Sequence, residues 1–371
     1  MIFRSSPFVA IISLFALGLF TGCGESDSAR AARYEQAMEN AKSALKGGGG
    51  AVPEDAQLKV ELSPDEKASE DTSRKLILLC AADLGDPFQQ LQADLMRAAV
   101  RTLEGYRFKV LDAAGDVGKQ LDVLGEAQSL QPAWLLVQPV EERLSAALLE
   151  NARGQGARIV ALDQRVPETS CEALVFADQA KIGRMAGELV LAALKRKAAD
   201  EKKPQVTGRV VQIRGRDDAY ASKARAEAFA AVLHAEPGII IVHDAPGNWT
   251  VDGGRARAKD ALKLQKSFDV VFAHNDAMAR GASEALTAVQ QRENVLIVGV
   301  DGIAGKNGGQ EMLRRGVIDA TILQPMPLEI AFSWIQKSIN DSNFKPDRRA
   351  EREPLALTPK NIDEMGRKAS K

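Results

Sequence analysis

From Lys75 onward, short apolar runs alternate with longer amphipathic stretches. The runs at 75–81, 107–112, 133–138 and 157–163 read as strands, with helices filling the intervals. Such alternation predicts a parallel sheet covered by helices on both faces. A charged stretch, KRKAADEKKP at 195–204, interrupts it and reads as a solvated helix end and loop. The pattern then resumes, with strands near 207–213, 238–243, 269–273, 295–300 and 319–323. Two βα arrays of similar size predict two lobes with a cleft between them.

Residues 268–302 organise the second array. Phe268 to Ala273 is an apolar run suited to a strand buried on both faces. His274-Asn275-Asp276 ends it and can cap the helix that Ala277 to Val289 would form. Val295 to Val300 is apolar again, and Asp301-Gly302 ends it. Two parallel strands thus deliver Asn275 and Asp301 to their carboxyl ends, the edge where open α/β sheets bind ligands. Short polar arms that both donate and accept suit a polyhydroxylated ligand.

The other strand ends carry polar groups too. Asp86-Pro87-Phe88 follows the first strand, and Pro87 suits a first helical turn. Asp86 either caps that helix or faces the cleft, and Phe88 is either core or a ring laid on a sugar face. Leu162-Asp163-Gln164-Arg165 ends the strand at 157–163. Asp163 and Arg165 there form an internal ion pair or present a carboxylate and a guanidinium fork to hydroxyls. Tyr220 to Leu233 reads as a helix that carries Arg225, and helix arginines are commonly exposed. Trp249 lies in a Gly-Asn-Trp loop, where it is a ligand platform or peripheral core. Gln324-Pro325 follows the strand at 319–323 and marks a crossover between lobes.

Composition narrows the classes. The chain has 371 residues with 45% apolar, enough for a full core. Forty-nine basic and fifty acidic residues give a net charge of −1, which argues against a nucleic-acid partner. Three His and three Cys show no metal-ligand spacing, so neither metal nor cofactor is expected. No nucleophile–base pair is visible, and His274 is the sole histidine near the proposed edge. At the amino terminus, Arg4 precedes an apolar run from Pro7 to Phe20 that is short for a membrane span. Leu19-Phe20-Thr21-Gly22-Cys23 resembles a bacterial lipobox, which implies a signal peptide over 1–22 and lipidation of Cys23. Residues 23–73, with a four-glycine break and many charges, read as a flexible tether. Cys80 lies in the first strand as a buried thiol, and Cys171 in a loop.

Over roughly residues 75–358 the chain resembles the type I periplasmic binding proteins of sugar transporters, especially the ribose-binding branch. The residues that carry the resemblance are Asp86-Pro87-Phe88, Leu162-Asp163, Arg225 four residues before Phe229, Asn275 to Ala279, Gly299 to Gly302 and Ala320 to Gln324. The resemblance implies two parallel, doubly wound lobes joined by a three-strand hinge. Lobe boundaries would be 74–177 with 325–352, and 178–324 with 353–358. It also implies that Asp86, Phe88, Asp163, Arg225, Trp249, Asn275, Asp301 and Gln324 contact sugar, with Phe88 and Trp249 sandwiching the ring. The chain departs from that branch in its acid at Asp86, its amide at Gln89 in place of a second aromatic, and Gln164 between Asp163 and Arg165. The function implied is non-enzymatic. A monomeric, lipid-anchored protein of the cell envelope would bind a monosaccharide or related polyol and deliver it to an ABC permease. Sensing for a kinase or chemoreceptor is the alternative. A repressor of related fold would need a DNA-binding headpiece where this chain shows the signal and tether.

Overall fold

The computed structural model describes residues 71–140, 146–163, 170–265, 267–305 and 307–362. The segments expected as signal and as tether up to residue 70, together with Cys23 and Arg165, lie outside the described residues.

The first lobe begins with Lys75–Ala81 (β1), Pro87–Val100 (α1), Tyr106–Asp112 (β2), Val117–Ser129 (α2), Trp134–Val137 (β3), Ala146–Gly154 (α3), Arg158–Leu162 (β4) and Ala173–Ala177 (β5). The chain then crosses over. The second lobe holds Gln179–Asp200 (α4), Gly208–Arg214 (β6), Tyr220–Leu233 (α5), Ile239–Pro246 (β7), Val251–Leu264 (α6), Val270–Ala273 (β8), Asp276–Ala288 (α7), Leu296–Asp301 (β9), Gly309–Arg314 (α8) and Ala320–Leu323 (β10). Pro327–Asn340 (α9) and Arg349–Arg352 (β11) return to the first lobe, and Leu355–Leu357 (β12) ends in the second.

Each lobe is one six-stranded sheet. The orders are β11-β5-β4-β3-β1-β2 and β12-β10-β9-β8-β6-β7, so both wind in the same way about their first strand. Pairing is parallel throughout except between β10 and β12. The central strands explain the parallel choice. Leu76 to Ala81, Trp134 to Val137 and Val270 to Ala273 are buried along their whole length, so each needs helices on both faces. The winding reverses between β1 and β3 and again between β6 and β8, which opens a crevice at the carboxyl ends of both sheets. Three crossings join the lobes, at 177–179, 323–327 and 352–355.

The apolar alternation does not single out β5, β11 or β12. β11 and β12 are four and three residues long, too short to show a period. β5 joins the sheet after a loop that contains Cys171. Cys80 and Cys171 are both buried and share one apolar cluster.

Helix caps fix where the strand ends turn. Asp86 caps α1 by accepting from the Phe88 N–H at 3.0 Å, with Pro87 in the first turn. Asn275 caps α7 through the Met278 N–H at 2.9 Å, and Asp178 caps α4 through the Lys181 N–H at 2.9 Å. Helices α4 and α5 pack unusually close. A Cβ on Gly183 would stand 2.3 Å from the Arg225 carbonyl oxygen, so no larger residue fits there. That approach holds Arg225 against the crevice. Below it, Phe229 and Phe272 stack at 4.4 Å between centroids, each burial contributing roughly 1.5–3 kcal/mol.

Candidate functional site

Arg225 is the centre of the site. It is 3% exposed although it sits on a helix. Its Nε donates to Gln179 Oε1 at 2.9 Å, and its two terminal nitrogens donate to the His274 carbonyl and to Gln324 Oε1. A guanidinium has five N–H donors, so two directions remain. Its Cζ also lies 5.6 Å from the Trp249 ring centroid.

Carboxylates surround it. Burial is the largest influence on the Arg225 charge and lowers its pKa, while Asp301, Asp86, Asp163 and Asp276 oppose that, in this order. Burial pushes the Asp86 carboxyl up to about 6, against the Phe88 N–H and Arg225 that favour its anion. Asp163 is pushed up to about 7 by burial, and Asp86 adds to this. Asp276 is likewise pushed up to about 7 by burial. The carboxyl of Asp301 is raised well above the usual range by burial, then by the charges of Asp276 and Asp86. These mutual influences bring Asp86 and Asp163 of the first lobe together with Arg225 and Asp301 of the second.

The backbone is strained where it delivers these groups. Asp163 has φ 65°, Trp249 φ 65° after Asn248 at φ 55°, and Asp301 φ 109°. Non-glycine residues rarely adopt such angles, and they persist where surrounding structure over-determines them. The Trp249 ring packs closely against Gly215: a Cβ there would stand 2.0 Å from Trp249 Cζ2. Gly215 after β6 therefore sets where the aromatic platform sits.

The remaining expected residues take up distinct places. Asn275 is 2% exposed, and its Nδ2 donates to the Trp249 carbonyl at 2.9 Å while its Oδ1 caps α7. Its amide thus ties the two strand ends together. Gln324 sits on the second crossing, with its N–H donating to the Asp301 carbonyl at 3.1 Å. Phe88 is 4% exposed and packs on Ala304 and Met326, so its ring bridges α1, the loop after β9 and the crossing. Trp249 stays partly exposed at the edge of the second-lobe core. Asp86 both caps and faces Arg225, which merges the two alternatives open from sequence. Trp134 and Trp334 belong to the first-lobe core.

Four further residues complete the site. Gln138 follows β3, and its Nε2 reaches Asp163 Oδ2 at 3.5 Å. Gln179 orients Arg225, and Gln92 on α1 is buried beside Asp163. Asp276 holds the Gly302 N–H at 2.8 Å and the Thr321 hydroxyl at 2.7 Å, which fixes the bend after Asp301. Gln138 was open to the rule of polar residues at strand ends, and Asp276 adjoins the cap. Gln92 lies inside α1 and Gln179 opens α4 after its Asp178 cap, and neither carries a signal of its own.

His274 is fully buried, and burial holds its imidazole well below the usual range, hence neutral. Its Nδ1 accepts from the Gly215 N–H and Nε2 faces the Gln212 amide at 3.1 Å, so it is a structural link. A crevice lined by Gln92, Leu95, Met96, Met326, Glu329 and Phe332 lies between α1 and α9, and Gln92 is shared with the corner at Asp163.

The family model for the periplasmic binding protein domain matches residues 77–333. Over 253 residues the chain is 25% identical to the D-apiose import binding protein of Paraburkholderia graminis, covering 68% of this chain and 77% of that one. It is 25% identical over 225 residues to the ribose import binding protein of Bacillus subtilis, covering 60% and 68%. Among solved structures, a fructose-binding periplasmic domain of a hybrid two-component system superposes with a TM-score of 0.70 at 20% identity, covering 80% of this chain and 94% of that chain.

Proposed function

The chain belongs to the periplasmic binding protein domain family, and from that premise we propose that it captures a monosaccharide or related polyol between its lobes and delivers it to an ABC importer. The observation that carries this reading is the convergence, from both lobes, of Asp86, Asp163, Arg225, Asp301 and Trp249 on one crevice. Carboxylates and a guanidinium engage hydroxyls, and the indole face engages ring C–H groups. The relatives named for ribose and D-apiose import support a sugar as the class.

The mechanism is closure about the three crossings. Ligand bound to Asp86 and Asp163 on one side and Arg225 and Asp301 on the other favours the closed state by its contacts there. On this reading residues 74–177 with 325–352 move as one lobe and 178–324 with 353–358 as the other. The transporter reads the closed form, and no bond in the ligand is made or broken. We further propose that Cys23 carries a lipid that holds the protein in the cell envelope, with residues 24–73 as tether.

Thermal shift and calorimetry with pentoses, hexoses and cyclitols test the reading. Stabilisation by at least one sugar at micromolar affinity is expected, and none across the set would overturn it. A sensory output is the second reading, favoured by the superposition on the two-component domain. Retention of the sugar-loaded protein by a permease in reconstituted vesicles separates transport from sensing.

A further inference from the structure

The two lobes touch at the mouth of the cleft, away from the crossings. The crossings leave the sheet edges formed by β11 and β5 and by β12 and β10. Asp83 follows β1 and Gly115 follows β2, at the opposite edge of the first sheet. Arg216 follows β6, towards the opposite edge of the second sheet. Its side chain nevertheless reaches across to Gly115. A Cβ on Gly115 would stand 1.9 Å from Arg216 Nη1 and 3.2 Å from Asp83 Oδ2.

Both sides of this contact are held in place. Asp112 Oδ1 accepts from the Leu84 N–H at 3.1 Å and the Ala114 N–H at 2.9 Å, which ties the loops after β1 and β2 together. The Gly115 N–H donates to the Ala82 carbonyl at 2.7 Å, and Gly115 itself has φ 72°, an angle that glycine adopts freely. On the other lobe, Asp218 takes two bonds from the Arg216 guanidinium, from Nε at 3.0 Å and from Nη2 at 2.6 Å. Such a fork fixes the direction of the remaining nitrogen, Nη1, which is the one that lies on Gly115. The Arg216 side chain is 20% exposed. The residue before it is Gly215, against which the Trp249 ring packs.

The position of the contact makes it sensitive to the hinge. Four strand spacings separate β5 from β2, about 19 Å. A rotation of about 10° at the crossings would therefore part Arg216 from Gly115 by about 3 Å. The contact belongs to the closed form alone. Resting on the sugar-binding reading above, we infer that Arg216 is a closing residue: seated on Gly115, it seals the mouth of the cleft and slows release of the ligand. It acts on retention and not on capture, because the open form that admits a ligand has already parted the two residues. Asp218 balances the Arg216 charge, so fit against Gly115 carries the contact more than attraction to Asp83 does. The glycine is then explained, since a side chain at 115 would occupy the place of the guanidinium.

Stopped-flow fluorescence and calorimetry with pentoses, hexoses and cyclitols test this on two variants and their combination. Arg216→Ala is expected to release sugar about threefold faster or more, with the association rate unchanged. Gly115→Asn keeps the left-handed turn, because asparagine tolerates positive φ, and its side chain fills the seat. It is expected to bind about tenfold more weakly. In the double variant the colliding arginine is gone, and binding is expected to match that of Arg216→Ala alone. If Arg216→Ala releases sugar as slowly as the wild type, or loses association rate instead, the inference is overturned while sugar binding stands. The same holds if the two losses simply multiply in the double variant. Should Gly115→Asn not fold, the release rate of Arg216→Ala decides by itself. If no member of the panel binds the wild type, the inference and the sugar-binding reading fall together.

Discussion

Asp163→Asn should make the unliganded protein more stable near neutral pH. The carboxylate is held in the cleft beside Gln92, with only a 3.5 Å contact from Gln138 at Oδ2. Its pKa is raised from the ordinary 3.8 to about 7. Below about pH 4 both folded and unfolded chains hold the proton, and burial carries no charge penalty. Between about pH 4 and 7 the unfolded chain has released the proton while the folded one retains it, so stability falls as pH rises. Above that the folded chain holds the ionised carboxylate at its full cost. Three units correspond to about 4 kcal/mol. Partial exposure of the side chain reduces this to about 2 kcal/mol.

Asparagine removes the charge and keeps the shape. It tolerates the φ of 65° that this position requires. Its amide N–H₂ also offers a donor to the unpaired Gln138 Oε1. At roughly 2 °C per kcal/mol for a protein of this size, the variant should melt about 4 °C higher at pH 8. Thermal unfolding of both proteins without ligand, at pH 4.5, 6 and 8, measures it. The gap between them should be smallest at pH 4.5, about a quarter of its full size, and widen towards pH 8. A gap that is constant with pH, or a variant less stable at pH 8, would refute the account of Asp163 as a buried charge kept for ligand.

Other predictions follow from the same geometry. Asp301→Ala should lose about ten- to hundredfold in sugar affinity, from a charged hydrogen bond worth roughly 1.5–3 kcal/mol, and Asp301→Asn less; calorimetry on folded variants decides, and unchanged affinity in the alanine variant would remove Asp301 from the site. Ligand should change the fluorescence of Trp249, and the change should disappear in Trp249→Phe, since Trp134 and Trp334 lie in the first-lobe core. Saturating sugar should lower the radius of gyration in small-angle scattering, and an identical profile with a proven ligand would exclude hinge closure. Cys23→Ser should abolish fatty-acid labelling, and equal labelling of both forms would rule out the lipid anchor.

Much of the fold was legible because the central strands are continuous apolar runs. Leu76 to Ala81 and Val270 to Ala273 have no polar position, and only a sheet covered on both faces accommodates them. The polar residue after each run then gives the cleft edge directly, which is how Asp163, Asn275 and Asp301 stood out. β11 and β12 escaped notice because they are held by the neighbour each edge strand pairs with, not by their own pattern.

Side chains that act through another element were harder to read. Arg225 belongs to a helix, where most arginines point to water, and its own neighbours in sequence give no hint of burial. Its place depends on Gly183, a residue 42 positions earlier, which lets α4 approach the Arg225 carbonyl. Trp249 depends in the same way on Gly215, and on a φ of 65° that its sequence does not announce. The glutamines illustrate the limit further. Gln179 is engaged by Arg225, whereas Gln92 reaches only towards Asp163 and Gln138 Oε1 has no hydrogen-bond partner. Buried amides normally find partners, so these two mark where the protein alone does not complete its own hydrogen bonding. The strained strand ends at Asp163, Trp249 and Asp301 lie around the same unfilled corner. Strain and sparse partners thus fall on one cleft, the crevice that the proposed reading gives to a ligand.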